Sequence, residues 1–594
     1  MLSAIAGEVA FKGARAEEKP VHTMLQHLAN HNGQDPTVMT NGWLAFGQVR
    51  LDNPGSAEKA PGPLVDEDHE VAVVFDGRLL NRDELCTELA GEYRFRTGSD
   101  AEIILAAYQR WGTDFVQHLH GHFAIVLADQ RRHRVILCRD RLGAKPLYLA
   151  RTNGRLRFAP TLPALVASGG IDTTVDKNAL HHYMSWHSIV PAPRTLVSGV
   201  TKLPPATMQV IDADGQTDET MYWQPDYARS ASRSDWSDQD WHDAIRQSLE
   251  TAVQRSIVSK DHMGVLLSGG LDSSLLVALL ANAGVEDIAT FSVGFDGVGD
   301  QSGNEFVYSD RVAQEFGTDH HTLQIGTNEL YAAVDDAIAA MTEPMASHDV
   351  PAFYLHSQAV AKHTNMVQCG QGADEIFAGY RYHRAADGVD RQEVLPTFLE
   401  AFEDHNQDDL AGILSPEWLA PSDVSREMLA EYLAEPGAQT SIDAVLRLET
   451  QLILADDPVK RVGNMSMAAG LEAFLPFLDH EFVELVITCP TELRTDQGGK
   501  GILKDIGREL LPNEVIDRPK GYFPVPALKH LQEPILSQVT DALQAPEAQK
   551  RGLFRQDFLD KLLAEPNDHY VPTGGNLLWQ VGLLEMWLQR HGLG

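Results

Sequence analysis

Cysteine is almost missing from this 594-residue sequence. Cys86, Cys138, Cys369 and Cys489 stand far apart, with no CxxC pair and no histidine at metal-ligand spacing. That excludes a disulfide framework and a zinc ribbon, and reads as reduced, mostly buried thiols in a cytoplasmic protein. Long apolar runs are missing too, since none approaches the roughly 20 residues a membrane helix needs. The start, Met1-Leu2-Ser3-Ala4-Ile5-Ala6-Gly7-Glu8, has no basic segment and no extended apolar core, so no signal peptide is expected. Positive charge is scarce: 48 Lys and Arg face 84 Asp and Glu, a net charge of −36 at pH 7. Binding to nucleic acid needs a basic face, which excludes that partner. The acidic residues are scattered rather than run together, which reads as a solvating surface of the kind suited to a salt-accumulating cell. Any phosphate-bearing ligand then depends on a few local cations.

What is present is an ordinary globular composition, 43% hydrophobic and 22% charged, in a chain too long for one core. The stretch that organises it is Ser268-Gly269-Gly270-Leu271-Asp272-Ser273-Ser274, which ends the apolar run Gly264-Val265-Leu266-Leu267. An apolar run entering glycines, followed by helical spacing through Leu280, predicts strand, loop and helix. Two glycines let the backbone approach a ligand closely, and hydroxyls with the first helical N–H groups suit phosphate. Asp272 is badly placed for a bare anion, but a carboxylate beside phosphates makes sense with Mg²⁺ between them. A lone glycine pair would read as an ordinary turn; seven residues of this composition are more specific.

This stretch resembles the pyrophosphate loop of ATP pyrophosphatases, in the wording of the asparagine synthetase family. The resemblance runs over nearly the whole chain. It includes Arg139-Asp140-Arg141-Leu142-Gly143-Ala144-Lys145-Pro146-Leu147-Tyr148, Lys202-Leu203-Pro204-Pro205, Gly370-Gln371-Gly372-Ala373-Asp374-Glu375, Met465-Ser466-Met467-Ala468 and Pro476-Phe477-Leu478-Asp479. A narrower likeness is to the N-acetylglutaminylglutamine amide synthetases, carried by Pro191-Ala192-Pro193-Arg194-Thr195, Gly303-Asn304-Glu305-Phe306 and Gly370-Gln371-Gly372.

Short buried-strand runs at Val71–Phe75, Phe123–Leu127 and Val135–Cys138, with helical spacing at Val21–Ala29, Asn81–Leu89 and Asp100–Trp111, predict a sheet–sheet sandwich with helical outer layers. The resemblance implies the same for residues 1–225: a four-layer glutamine amidotransferase domain of the amino-terminal-nucleophile type. In that family the residue after the initiator Met is a nucleophilic Cys. Here it is Leu2, and Ser3 would serve only after trimming of two residues. The family's Asn-Gly-Glu stands as Asp76-Gly77-Arg78, which puts a carboxylate where an oxyanion must develop. Arg50 and Asp100 remain as substrate-gripping positions of the family, or as structural salt-bridge residues. This domain is expected to be an inactive scaffold.

Tyr227–Asp235 is polar and aperiodic, and residues 226–238 read as a linker. Beyond it, Trp241–Ser256 has helical spacing. Strands are then expected at Gly264–Leu267, Ala289–Val293 and Asn365–Gln368. Helices are expected at Ser273–Ala283, Asp310–Phe316, Glu329–Met341 and Ala352–His363. This alternation predicts a parallel α/β sheet in residues 239–594, with ligands at the carboxyl ends of strands. After Leu410 the pattern turns helical, as a flank.

The resemblance implies adenylation of a carboxylate by ATP, then attack of an amine to give an amide, AMP and pyrophosphate. Leu267 through Ser274, Val293, Gly294, Gly370 and Gly372 are the nucleotide-binding candidates. Asp272 and Asp374 are the Mg²⁺ candidates, the latter favoured over an ordinary helix cap. Lys500, in Gly498-Gly499-Lys500-Gly501, matches the family lysine that stabilises charge at the reacting carboxyl and phosphate. Lys520, in Arg518-Pro519-Lys520-Gly521, is a second cation from a Gly/Pro-rich loop. Gln371 stands where asparagine synthetases have Glu and β-lactam-forming relatives have Tyr. It has no basicity, yet can orient ammonia or a substrate amide. Glu375, Glu343 and Glu472 are candidate bases. Gly463-Asn464 and Phe474 replace charged family residues, suggesting a larger, less charged substrate such as an acylated dipeptide, or mere packing changes. Three readings follow: an amide ligase acting on an N-acylated dipeptide with ammonia; an asparagine synthetase or ring-closing synthetase; or a non-catalytic nucleotide-binding protein. The residues do not specify an oligomeric state, and a homodimer is among the expectations.

Overall fold

The computed structural model describes residues 3–29, 35–51, 62–66, 70–258, 262–296, 306–518 and 526–594. Contacts divide the chain into two units. Met1–Thr174, Ala192–Gln224 and Met467–Glu472 form unit 1; Val175–Pro191, Pro225–Ser466 and Ala473–Gly594 form unit 2.

The strands of unit 1 are β1 (Ser3–Ala10), β2 (Thr37–Asn41), β3 (Leu44–Arg50), β4 (Leu64–Asp66), β5 (Val71–Leu79), β6 (Gly121–Asp129), β7 (Arg134–Arg139), β8 (Tyr148–Thr152), β9 (Arg155–Ala159), β10 (Thr201–Lys202), β11 (Thr207–Asp212) and β12 (Thr217–Met221). They make two antiparallel sheets, ordered β10-β8-β9-β1-β3-β2 and β12-β11-β7-β6-β5-β4. Successive side chains of a strand point to opposite faces, and β5 shows both faces buried. Val71, Val73 and Phe75 pack with Ile103, Ile104 and Phe115 of the helical layer. Ala72 and Val74 pack with Ile5, Phe46 and Val126 between the sheets. Helices Glu18–Ala29 and Leu162–Ala167 cover the first sheet, while Arg82–Leu89 and Asp100–Trp111 cover the second. The four layers match the expected sandwich.

The Arg139–Tyr148 motif serves this fold. The buried Asp140 carboxylate accepts backbone N–H bonds from Phe123 (3.2 Å), Leu142 (3.3 Å), Ala144 (2.9 Å) and Lys145 (2.9 Å). Arg139 donates to the carbonyls of Gly143, Lys145 and Leu203 at 2.8–2.9 Å.

Unit 2 is built on β13 (Met263–Leu266), β14 (Ile288–Phe295), β15 (Asp319–Ile325) and β16 (Met366–Gln368), with β17 (Glu472–Phe474), whose first residue is counted in unit 1, at the edge, in the order β15-β14-β13-β16-β17. β13 runs parallel to β14 and β16, and β14 parallel to β15. Helices dominate after Leu410, as expected of the flank. The segment read as a linker is fastened to unit 2. Tyr227 is buried and its hydroxyl donates to the Leu446 carbonyl at 2.8 Å, while Arg229 donates to Asp443 at 2.9 Å. Among the described residues no helix is long and apolar enough to cross a membrane.

Removing the Asp140 carboxylate strands several buried N–H groups at once, each costing about 1–3 kcal/mol. We expect Asp140→Ala to lower the stability of unit 1 by about 3 kcal/mol or more, read as an earlier first transition in chemical denaturation; an unshifted curve would remove this role.

Candidate active site

The strand order dictates where a ligand can enter unit 2. From β13 the chain moves to one side, through β14 and β15, and returns to the other side at β16. Loops leaving the carboxyl ends of β13 and β16 therefore diverge and open a crevice. The loop after β13 is Ser268-Gly269-Gly270, leading into the helix Leu271–Asn282; that after β16 is Gly370-Gln371-Gly372, leading into Ala373–Ile376.

A cavity of about 540 Å³ lies there. Leu267, Ser268, Gly270, Leu271, Asp272 and Ser273 line it, together with Val293, Gly370, Gln371, Asp374 and Lys500. Gly269, Ser274, Gly294 and Gly372 stand beside the lining. Ser274 is turned into the core. Gly269 has φ +71°, and a Cβ there would lie 2.6 Å from the Ser309 nitrogen, so the turn demands glycine. The loop is closed on itself by serines: the Ser268 N–H donates to Ser273 Oγ at 3.2 Å, and the Gly270 N–H to Ser268 Oγ at 3.3 Å. Lys520 and Leu2 lie outside the described residues.

Lys500 joins the two acidic loops. Its ammonium lies 2.6 Å from Asp272 Oδ2 and 2.9 Å from Asp374 Oδ1. Burial opposes the charge, but the two carboxylates outweigh it and hold the ammonium well above the usual lysine range. The backbone at Lys500 is left-handed (φ +61°), directly before the helix Gly501–Leu510. The packing around the triad tolerates no side chain: a Cβ on Gly379 would sit 1.8 Å from Asp374 Oδ1 and 2.6 Å from Lys500 Cε. Two carboxylates beside a loop of hydroxyls and amides form a hard oxygen donor set, which fits Mg²⁺ with phosphate.

Four further cations line the cavity without having been singled out as ligands in the sequence: Arg384, Arg461, Lys504 and Arg518. Arg384 and Lys504 are held by main-chain carbonyls, of Gly379 (2.7 Å) and Gln497 (2.5 Å). Burial and the neighbouring Lys500, Arg384 and Arg508 push the Lys504 ammonium below the usual lysine range. Arg461 pairs with Asp349 at 3.2 Å, and Arg518 lies over the Tyr308 ring at 4.8 Å. The available signal for Lys504 was its place one helical turn beyond Lys500; Arg384 and Arg461 carried none.

Of the three candidate bases only Glu375 reaches this site, and it does so from behind. It is fully buried, and its Oε1 accepts from Gln371 Nε2 (2.8 Å) and the Tyr380 hydroxyl (2.9 Å). Burial, then Asp374 and Glu449, raise its carboxyl above the usual range. Glu343 is instead 3.7 Å from the Lys460 ammonium, and Glu472 belongs to unit 1. Asn464 is a buried clasp, accepting from the Thr342 N–H and donating to the Ala340 carbonyl, both at 2.8 Å. Phe474 is buried on β17. Neither is among the residues that line the cavity, and both are packed where they stand.

In unit 1, Asp76 is buried with Lys145 Nζ at 3.4 Å, and Lys145 also lies 3.7 Å from Glu472. Burial raises the Asp76 carboxyl against the pull of Lys145. Burial opposes the Lys145 charge, which Asp76 and Glu472 restore and strengthen. Asp100 accepts from the Leu79 N–H at 3.1 Å and lies 3.4 Å from Arg82. Arg50 is buried at the end of β3.

The asparagine synthase family model matches residues 244–589, more than half of the chain. The chain belongs to the asparagine synthase family. A glutamine amidotransferase domain model matches residues 2–223. Among curated relatives, asparagine synthetase [glutamine-hydrolyzing] 1 of Bacillus subtilis is 26% identical over 96% of this chain and 94% of its own length. Asparagine synthetase [glutamine-hydrolyzing] 3 of the same organism is 27% identical over 99% and 97%. Asparagine synthetase B [glutamine-hydrolyzing] of Escherichia coli is 26% identical over 84% and 78%. As a member of the asparagine synthase family, the protein is an ATP-dependent amide-forming ligase.

Gly379→Ala forces Asp374 and Lys500 apart. Because misplacement by about 1 Å is enough to cost about 100-fold, we expect acid-dependent pyrophosphate release to fall by about that factor. Wild-type turnover in this variant would show that the triad does not need its present spacing.

Proposed function

We propose that unit 2 adenylates the carboxylate of an N-acylated dipeptide such as N-acetylglutaminylglutamine and amidates it with ammonia, releasing AMP and pyrophosphate. The observation that carries the activation half is the Asp272–Lys500–Asp374 triad at the mouth of the glycine loop. Ser268, Gly270 and Ser273 offer hydroxyl and backbone donors to pyrophosphate, beside the start of a helix. Lys500 supplies fixed positive charge where the acyl phosphate forms. Mg²⁺ on Asp272 and Asp374, when bound, would neutralise the charge of the departing pyrophosphate. Val293 and the neighbouring Gly294 lie at the end of β14, where a planar base packs on backbone. Lys520 is kept as a second cation of the loop. In the second half a C–N bond forms as the bond to AMP breaks, and one proton leaves the nitrogen for the phosphate of AMP or for water.

The dipeptide rests on the narrower likeness at Pro191–Thr195, Gly303–Phe306 and Gly370–Gly372, not on Asn464 or Phe474. The domain spans that go with this reading are 1–225 for an inactive amidotransferase-like scaffold, 226–238 for the connection and 239–594 for the synthetase. The scaffold role is supported by Asp76, whose buried carboxylate pairs with Lys145 where the family uses a neutral donor to stabilise an oxyanion.

A pyrophosphate-release assay with ammonium tests this. We expect release with N-acetylglutaminylglutamine and not with aspartate; the reverse pattern would point to asparagine synthesis, and release without amine to ring closure. Asp272→Ala should lower the rate by about 1,000-fold or more, the scale of losing an essential charged group; an unchanged rate would refute its role. Glutamine should not replace ammonium, and glutamate appearing from glutamine would count against the scaffold reading.

A further inference from the structure

One polar group in the cavity wall has nothing to bond. The helix Val350–Val360 turns a face to the cavity, with Phe353 and His356 one turn apart on it and Asp349 at its start. Asp349 is matched, since it pairs with Arg461 at 3.2 Å. His356 differs: it is 5% exposed, and its Nε2 finds no hydrogen-bond partner among the described residues. Buried ring nitrogens are almost always bonded, because one left alone forfeits the hydrogen bond it had in water. In a pocket, a few such polar groups fix the orientation of the ligand.

The surroundings say which part of a ligand His356 meets. Burial pushes the imidazole pKa down to about 4, so near pH 7 the ring is neutral and brings one donor and one acceptor. A neutral ring has little to offer phosphate or carboxylate, which Lys500 and the arginines of the lining attract. The helix also leads to β14. His363, just past its end, meets the Phe291 ring at 5.8 Å between centroids, and Phe291 lines the cavity. Along the helix His356 therefore stands between the Arg461 pair and β14, beside Phe353. A ligand group suited to that place is planar, apolar on its faces and hydrogen-bonding at its edge.

We propose that His356 reads the purine of ATP, its Nε2 hydrogen-bonding a nitrogen on the edge of the base while the Phe353 ring packs beside it. This rests on the nucleotide reading above, which puts the base at Val293 and Gly294 of β14. The edge decides the direction of the bond: Nε2 donates to a ring nitrogen or accepts from the 6-amino group.

Titration calorimetry of the full-length protein with ATP and Mg²⁺ tests this, beside four analogues that each lack one edge nitrogen: 1-deaza-, 3-deaza- and 7-deaza-ATP, and purine riboside triphosphate, which has no 6-amino group. We expect His356→Leu to bind ATP about tenfold more weakly than the wild type. One analogue should lose about as much in the wild type and nothing further in His356→Leu, which marks the bonded nitrogen. His356→Gln, which keeps a hydrogen-bonding side chain, should recover part of the affinity. A wild-type protein that fails to bind ATP would remove the nucleotide reading, and this assignment with it. With ATP bound by the wild type, unchanged affinity in His356→Leu, or a loss in that variant equal for ATP and all four analogues, would overturn the assignment alone. So would an effect confined to the KM for the acid, which would set the imidazole against that substrate instead.

Discussion

Two carboxylates brought to one wall of a cavity repel each other, and a single buried ammonium makes their coexistence possible. Unit charges at 4 Å interact by about 4 kcal/mol at an effective dielectric constant near 20. Asp272 and Asp374 arrive from loops far apart in sequence, after β13 and β16. Lys500 reaches them from a third loop, at a left-handed residue that starts a helix. The cost of that backbone and of the desolvated lysine is offset by two charge-assisted hydrogen bonds at 2.6 and 2.9 Å. Gly379 and Gly499 follow from the same constraint. Gly379 lies against the Asp374–Lys500 contact, and Gly499 has φ +97° with no room for a Cβ beside the Ala378 carbonyl.

The rest of the cavity resolves a conflict set by composition. A chain with a net charge of −36 repels nucleotides over most of its surface. Arg384, Arg461, Lys504 and Arg518 concentrate positive charge on the lining of one cavity. Arg461 is already matched by Asp349 and Asp457. Burial resists its charge, yet those two carboxylates push it above the usual range. Arg384 and Lys504, held by carbonyl dipoles, keep more of their field for an anion.

How much of this was legible depended on whether a residue's partner was local. The seven residues Ser268–Ser274 betray their strand, turn and helix because glycine and hydroxyl positions are dictated within one loop. Asp100–Trp111 was readable to the residue, since Ser99 caps it and its apolar spacing is regular. β15 was not: Asp-His-His-Thr-Leu-Gln-Ile has little apolar alternation, because it is an edge strand with only one neighbour. Arg384 and Arg461 were invisible as site residues, since nothing near them in sequence says that tertiary structure brings them to the cavity. Asn464 and Phe474 show the complementary case. Their differences from the family pattern allowed either ligand contacts or packing, and their surroundings favour packing: one clasps two main-chain groups at 2.8 Å, the other fills a core position.

The same logic bears on unit 1, at the contact of Asp76 with Lys145. An oxyanion site works through neutral or positive donors that are aimed before charge develops. Asp76 presents a carboxylate instead, and its negative charge is met by Lys145, which lies between Asp76 and Glu472. Breaking such a buried pair by removing one member is costly, because the other is left charged and uncompensated. A neutral residue at position 76 alone would therefore strip Lys145 of one of its two carboxylates. The pair stands as a local commitment of the structure, in which the charge at position 76 and the charge at position 145 depend on each other.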